Sequence, residues 1–568
     1  MSISPVQSRC MDCGHTFDFH PLTTRCPKCG SEWLEAQYDY DLVRDRWLRQ
    51  LADRPFNLWR YHELLPVQHT PPPIDLGAGG TPLLRGVHLT QMLKLPHLFI
   101  KDERQSPTSS FKDRQAAVTI AALQESGLTE LVVASTGNVA IAYSAFAARA
   151  GIKLWAFLTS LVPQEKMREV AIYGTQVVKV TASYDEAKQI AVEFARQRGL
   201  YIDRGARSIP TVESMKTLAF EISEQLTRQH PEARYGGLPW RAPDWYLQAV
   251  SGGLGPIGVA KGFRELYRMG FIDRMPKLGI VQAEGCSPMV RAWEQGKAQA
   301  DPIPRPRTHI TTLATGNPGR SYTLLYDYVR EHGGTFVAVS DAEAFRAMHM
   351  LAKMEGLSME PAAAVAFAGL IKLVRQGVIQ PHETVVVNCS GHTMPIESHI
   401  LGERWARHVV VARRQEQDEA QETAPLGAPQ EGLLAALSSI ATERYPRILI
   451  VDDHEPARIL LRRILQSLGD YTILEASDGY QALEIAQQDP PDLIILDLMM
   501  PGLDGFSVLD SLKSHPATAH IPVIVVTAKT LTQEEQRRLR RMARLMYKGE
   551  FLSDEFFEEI RRLLDQAR

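Results

Sequence analysis

Lys112 stands in "SPTSSFKDRQ", between an aromatic ring and an acid and directly behind a run of hydroxyls. A lysine amine that sheds its proton condenses with an aldehyde or ketone, so a lysine in this setting is a candidate covalent catalyst. The competing reading is a solvated lysine on a helix face. Three other segments bear on the choice. In "WYLQAVSGGLGPIGVAKGF" an apolar strand runs into Ser251, Gly252, Gly253, Leu254 and Gly255 and then into a helix. Backbone N–H groups in such a loop close around a phosphate, or the glycines make an ordinary turn. In "LVVASTGNVAIAYSAFAARAG", Ser135, Thr136, Gly137 and Asn138 hold the same strand-to-helix position. They suit an anion such as a substrate carboxylate, or simply cap the helix. In "TVVVNCSGHTMP", Ser390 follows a strand, where its hydroxyl bonds a pyridine nitrogen without forcing protonation or else closes a turn.

Two further groups of residues have metal-binding types. Cys10, Cys13, Cys26 and Cys29 read as CxxC, twelve residues, CxxC. That spacing is close to a zinc ribbon; an iron site of the same geometry and four unrelated buried thiols are the alternatives. Four thiolates leave no open coordination position, so the metal expected here is structural zinc. Cys286 and Cys389 are expected to be reduced core thiols, because six cysteines in 568 residues do not make a disulfide scaffold. Near the C-terminus, Asp452 and Asp453 end the apolar run "RILIVDD" and Asp497 ends "PDLIILD". Thr527 ends "IPVIVVT", and Tyr547 and Lys548 end "RLMYK". Adjacent carboxylates at strand ends gather a hard cation such as Mg²⁺. A nearby aspartate accepts a phosphoryl group, and a hydroxyl and an ammonium answer the new charge.

The elements that must position these groups follow from the hydrophobic pattern. "LVVAS", "KLWAFL", "TQVVKV", "WYLQAV", "KLGIVQAE", "TFVAVS" and "TVVVNC" are strand candidates. They alternate with helical stretches such as "NVAIAYSAFAARAG" and "DEAKQIAVEFARQ", which predicts parallel sheets covered by helices with sites at the strand ends. A segment rich in Gln, Glu, Ala and Pro, "VARRQEQDEAQETAPLGAPQEG", reads as a linker, with a short helix expected in "LLAALSSIATERYP". A second α/β pattern then begins. The expected division is 1–45 for the ribbon and its connection, 46–410 for the catalytic domain, 411–445 for the linker and 446–568 for the last domain. Composition is that of globular protein, 44% apolar and 23% charged. A net charge of −3 carries no field that predicts nucleic acid or an acidic membrane as partner. The start lacks an apolar secretory core, and no run reaches the roughly 18 apolar residues of a spanning helix, so a soluble cytoplasmic protein is expected.

Taken together, residues 1–405 resemble the fold-type II family of pyridoxal 5'-phosphate (PLP) enzymes, and threonine synthases most closely. "PTSSFKDR" is similar to that family's PTGSFKDR, with Ser109 in place of glycine, and "GAGGTPL" and "SMKTLAFEI" look like further family segments. The resemblance implies that Lys112 holds the PLP aldehyde and, once freed, acts as base at the substrate α carbon. It implies that Asn138 bonds the ring hydroxyl, that Ser251 to Gly255 hold the cofactor phosphate, and that Ser390 meets the ring nitrogen. Ser135, Thr136 and Gly137 would receive the substrate carboxylate. A homodimer is expected because relatives of this fold commonly form one. The reaction implied is O-phospho-L-homoserine and water to L-threonine and phosphate. One position departs from the family: Thr211 stands where an arginine suited to the substrate phosphate is expected, and Ser214 replaces a glycine. Arg207 and Lys166 are the basic residues that could substitute. Threonine or serine ammonia-lyase chemistry, or another β-elimination or replacement, is therefore the alternative, and a non-catalytic PLP-fold sensor is the second.

Residues 446–568 closely resemble a response-regulator receiver, a flavodoxin-like (βα)5 domain. By that likeness Asp497 is the phosphoacceptor and joins Asp452 and Asp453 in holding Mg²⁺. Thr527, Tyr547 and Lys548 form the switch, and a histidine kinase or phosphotransfer protein is the partner. Gly549 stands where a proline usually follows the lysine.

Overall fold

The computed structural model describes residues 6–68, 72, 74–135, 137–159, 162–180, 184–229, 239–392, 445–468, 471–527, 531–539, 542–547 and 554–566. Thr136, Lys548, Gly549 and residues 411–444 of the expected linker, with the short helix placed there, lie outside them. The chain divides into two compact units, Met1–Ile396 and Glu397–Arg568.

The first unit contains three sheets. Gln7–Cys10 lies between Thr16–Asp18 and Leu34–Gln37 in a small antiparallel sheet. A six-stranded sheet runs in the order Gly334–Val339, Lys277–Ala283, Trp245–Ala249, Val385–Cys389, Leu98–Asp102, Leu83–Arg85, parallel except for the last pair. A four-stranded parallel sheet runs Gln176–Val180, Lys153–Thr159, Glu130–Ser135, Tyr201–Ile202. The seven strand candidates read from the pattern are all strands. Their continuous apolar runs arise because both faces are covered: Trp245–Ala249 and Val385–Cys389 are buried along their whole length. Leu98–Asp102 is a strand that the pattern hides, since its second half is Lys101 and Asp102, both fully buried.

The covering helices carry the expected end signals. Asp341–Glu355 starts in a reciprocal Ser340–Glu343 capping box and ends at the left-handed Gly356. Pro361–Arg375 opens on proline and lays an alanine-rich face on the six-stranded sheet. Gly258 and Gly262 lie one turn apart on Leu254–Arg268, where a Cβ would come 2.4 Å from Met215 Cβ and 2.4 Å from the Lys216 carbonyl, respectively. Only glycine lets that helix lie so close to Ile209–Met215.

Polar cohesion comes from a buried ion network. Arg114 bonds Glu103 at 2.8 Å and Glu221 at 2.6 Å, and Lys101 bonds Glu221 at 2.7 Å. All four side chains are fully buried. Burial opposes the charge on Glu221, yet Arg114 and Lys101 together hold its pKa down to about 2. The network fastens the first turn of Lys112–Glu125 to the end of Leu98–Asp102 and to Thr217–Arg228.

The second unit is a five-stranded parallel sheet in the order Thr472–Ala476, Arg447–Val451, Leu493–Asp497, Val523–Thr527, Arg544–Tyr547. In chain order this is 2-1-3-4-5, the doubly wound arrangement whose sites lie at the carboxyl ends of its strands.

Removing Arg114 strands Glu103 and Glu221 as uncompensated buried charges. Arg114→Met should cost about 3–5 kcal/mol. In calorimetry of the full chain it should lower the melting temperature of the first unit by roughly 4–6 °C. An unshifted transition would show that the network is dispensable.

Candidate active site

Lys112 is the first residue of the helix Lys112–Glu125 and extends its ammonium over the Phe111 ring, 4.1 Å from the centroid. The preceding loop is folded back by Asp113, which accepts from Thr108 N at 2.7 Å and from Thr108 Oγ1 at 2.6 Å. Ser109 has φ of 58°, the left-handed region that glycine occupies without strain. The family glycine at this position is thus explained, and serine here bears a cost of about 1 kcal/mol. The loop then docks on a strand end: Phe111 N donates to Ser390 O at 3.0 Å and His392 N to Ser109 O at 2.8 Å. Ser110 and Gly391 form a β-bridge between them. Lys112 and Ser390, far apart in sequence, are brought together by these bonds.

Burial pushes the Lys112 pKa down to about 8, against the upward pull of Asp203 and Glu360. Neither acid was picked out from the sequence. Asp203 follows the short strand Tyr201–Ile202 and accepts from Tyr143 OH at 2.7 Å, Thr211 Oγ1 at 2.8 Å and Gly205 N at 3.0 Å. Glu360 precedes Pro361, and acid-proline reads from sequence only as the start of a helix.

The glycine loop opens beside Ser390, because Trp245–Ala249 and Val385–Cys389 are neighbouring parallel strands. Gly253, with φ of 87°, precedes Leu254–Arg268, and no side chain caps that helix. Its first-turn N–H groups therefore form an anion site. A Cβ at Gly253 would meet Leu325 and Met289 at 3.1 and 3.2 Å, whereas Gly252 faces open space. Ser251 Oγ bonds Thr315 Oγ1, which adds a buried hydroxyl that the sequence had not singled out. Gly255 lies inside the helix, where a Cβ would overlap the Gln248 amide at 2.4 Å, so its smallness serves packing.

Asn138 arrives from the four-stranded sheet. Its amide donates to Glu360 Oε1 at 2.7 Å, and its carbonyl oxygen accepts from Lys166 Nζ at 3.5 Å. Lys166, nearly buried, also lies 3.6 Å from Glu360 Oε2. A Cβ at Gly137, with its φ of 143°, would come 3.4 Å from the Lys166 stem. Ser135 Oγ accepts from Gly137 N at 2.9 Å and Ala140 N at 3.1 Å, so it caps the helix Asn138–Ala150. Of the two basic candidates, Arg207 bonds Glu32 of the small sheet region at 3.0 Å, while Lys166 faces Asn138 and Glu360. Thr211 is fully buried on Asp203, and Ser214 Oγ bonds the Thr211 carbonyl at 2.7 Å. Ser110 Oγ, Asn388 Oδ1 and His392 Nδ1 are buried without a hydrogen-bond partner along the same sheet edge. Orphaned polar atoms beside an uncapped helix start and a half-buried amine fit a bound phosphorylated aldehyde such as PLP.

Cys10, Cys13, Cys26 and Cys29 place their sulfurs within 4.8 Å of one another, with Cys10 to Cys29 at 3.5 Å and Cys13 to Cys26 at 3.8 Å. A tetrahedral zinc with bonds of about 2.3 Å requires edges of about 3.8 Å, so the set fits. Cys286 and Cys389 are buried free thiols. In the second unit the carboxylates of Asp452, Asp453 and Asp497 also lie within 4.8 Å of one another, a fit for Mg²⁺. Thr527 is buried at the end of its strand, and Tyr547 is 38% exposed at the end of the last. Among the described residues, no helix is long and apolar enough to cross a membrane.

Comparison with known proteins places these features in two families. The profile described as "Pyridoxal-phosphate dependent enzyme" matches residues 74–391, and that of the "Response regulator receiver domain" matches residues 448–547. Threonine synthase of Methanocaldococcus jannaschii is 34% identical over 386 residues, covering 68% of this chain and 91% of the relative. That of Methanosarcina acetivorans is 32% identical over 387 residues, with the same 68% and 91% coverage. A solved threonine deaminase of Solanum lycopersicum aligns at 23% identity and a TM-score of 0.46, covering 55% of this chain and 84% of that one.

The lowered Lys112 pKa fixes a pH dependence. Below about 8 the amine is mostly protonated and cannot attack an aldehyde; above it, the free amine dominates. Loading of PLP into the apoprotein, followed by absorbance, should therefore accelerate with rising pH around a midpoint of about 8. A midpoint near 10.5, the ordinary lysine value, would refute the desolvated setting.

Proposed function

The chain belongs to the pyridoxal-phosphate dependent enzymes and carries a response regulator receiver domain, and from this we propose that it is a threonine synthase whose receiver is phosphorylated in a phosphorelay. The reaction proposed is O-phospho-L-homoserine and water to L-threonine and phosphate. The observation that carries it is the placement of Lys166. This nearly buried cation shares Asn138 and Glu360 at the site that holds Lys112, and offers the substrate phosphate a charge where the family arginine is replaced by Thr211. Similarity to two threonine synthases over two thirds of the chain supports the same reading.

The roles follow from position. The uncapped helix start behind Gly253, with Ser251 and Thr315, would hold the cofactor phosphate; Ser390 would meet the ring nitrogen, and Asn138 the ring hydroxyl. PLP, when bound, supplies an electron sink for charge developing on the substrate. Lys112 takes the proton from the substrate α carbon, and its depressed pKa keeps a useful fraction of free amine near neutrality. The four cysteines hold a structural zinc. Asp452, Asp453 and Asp497 hold Mg²⁺, Asp497 accepts the phosphoryl group from a histidine kinase or phosphotransfer protein, and Thr527 and Tyr547 respond. The loss of the arginine at Thr211 favours a threonine or serine ammonia-lyase as the second reading, since that reaction has no substrate phosphate to bind.

PLP-loaded protein should release phosphate and threonine in equal amounts from O-phospho-L-homoserine, and Lys112→Ala should reduce the rate by about 1000-fold or more. Lys166→Ala should raise KM for that substrate about tenfold or more, the weight of one charge-assisted contact. No phosphate release, with oxoacid formed from threonine, would establish the lyase instead. For the receiver, acetyl phosphate with Mg²⁺ should transfer about one phosphoryl group per chain. Asp497→Asn or a chelator should abolish that transfer, and labelling that survives Asp497→Asn would reassign the acceptor.

A further inference from the structure

The two cysteine knuckles each carry an acid that is not a metal ligand, and each acid reaches toward a different wall of the cofactor site. Asp12, between Cys10 and Cys13, pairs with Arg320, whose guanidinium also lies over the Trp33 ring at 5.4 Å. Arg320 opens the helix Arg320–His332 and ends the loop that begins with Thr315, the partner of Ser251. Glu32, three residues beyond Cys29, bonds Arg207 at 3.0 Å and pairs with Arg204. Arg204 precedes and Arg207 ends the short turn Gly205–Arg207, whose Gly205 N is held by Asp203; Asp203 also accepts from Gln115 Nε2 at 3.3 Å, on the helix that begins at Lys112.

A third, buried connection runs between these two. The last strand of the small sheet, Leu34–Gln37, gives the Ala36 carbonyl to Lys261 Nζ at 2.8 Å, and the Tyr38 hydroxyl donates to Glu213 at 3.2 Å. Lys261 pairs with Glu213, and Glu213 lies on the helix Ile209–Met215 that also bears Thr211, a donor to Asp203 at 2.8 Å. Cys10 pairs in register with Leu34 in that sheet, so the metal-ligand geometry and the strand are one piece.

We propose that the cysteine ribbon is a clamp on the cofactor site, with Asp12 and Glu32 as positioning residues that hold the Ser251–Thr315 wall and the Asp203–Lys112 wall in place. Folding of the ribbon around its metal then sets PLP affinity from a distance, without any ribbon atom touching the cofactor. The inference rests on the cofactor, not on the identity of the amino-acid substrate. The outer pairs are partly exposed, so each contributes a small factor and the two act together with the buried strand contact.

The test is equilibrium PLP binding to the full chain by absorbance, with bound zinc counted in the same samples. Asp12→Asn combined with Glu32→Gln should keep about one zinc per chain, because the four thiolates are untouched, yet raise the Kd for PLP about tenfold. The pH midpoint of the visible band of the loaded protein should also move, since Asp203 is displaced relative to Lys112, whereas a loss of overall stability alone leaves it in place. Stripping the metal with a chelator should raise the Kd at least as far. Where the double variant loses zinc, Arg320→Gln with Arg207→Gln replaces it, with the same rise in Kd expected from the other side of each pair. A Kd within twofold of the unaltered protein and an unmoved midpoint, in any variant retaining zinc, would overturn the clamp. So would unchanged PLP affinity in the stripped protein.

Discussion

The catalytic unit turns on a single guanidinium with no solvent contact. Arg114 fills the space between Glu103 and Glu221, and Lys101 completes the charge balance. A buried pair of this kind adds little net stability over an apolar filling, since desolvation offsets most of the attraction. Its value is directional. A guanidinium donates to its carboxylates only in the plane and at fixed angles, so the helix that begins at Lys112 has one rotation and one depth. In "KDR" the lysine is the proposed catalyst, Asp113 folds the loop before it, and the arginine aims the helix.

From that anchor the rest of the site is assembled by strand ends. Ser390 and the Ser251 loop leave adjacent parallel strands, and the Lys112 loop is bonded to the first of them. Asn138 and Lys166 come from the other sheet and meet Glu360, whose backbone N–H bonds the Gly391 carbonyl at 3.2 Å. Glu360 is therefore one of the polar groups that join the four-stranded sheet region to the six-stranded one, as Asp203 is through Thr211. The Glu360 carboxylate also keeps the Lys112 pKa from falling as far as desolvation alone would drive it.

What could be read without coordinates follows from how local each signal is. Strands buried on both faces announce themselves as unbroken apolar runs, and the glycine loop, the cysteine knuckles and the aspartates at strand ends are short motifs. Leu98–Asp102 did not, because Lys101 is satisfied by Glu221, far away in sequence, and Asp102 by Arg104 just beyond the strand, while a periodicity argument counts both as surface. Asp203, Glu360 and Thr315 share that difficulty. Each is ordinary in its own segment and acquires a role only when another strand or helix supplies its partner. Ser135 shows the converse: a motif position with a suggestive hydroxyl whose lone pairs are taken up by the first turn of its own helix.

The two units place opposite demands on charge. Lys112 works because burial makes its cationic form costly while two acids limit that cost, so the site is poised with all its groups in place. Asp452, Asp453 and Asp497 instead bring three carboxylates within 4.8 Å of one another, a set of oxygen ligands suited to a hard cation. Divalent metal should thus stabilise the second unit and leave the first one's lysine chemistry untouched. On the proposed reading a phosphoryl group on Asp497 would add negative charge there, and the buried hydroxyl of Thr527, at the end of the adjacent strand, would answer that charge.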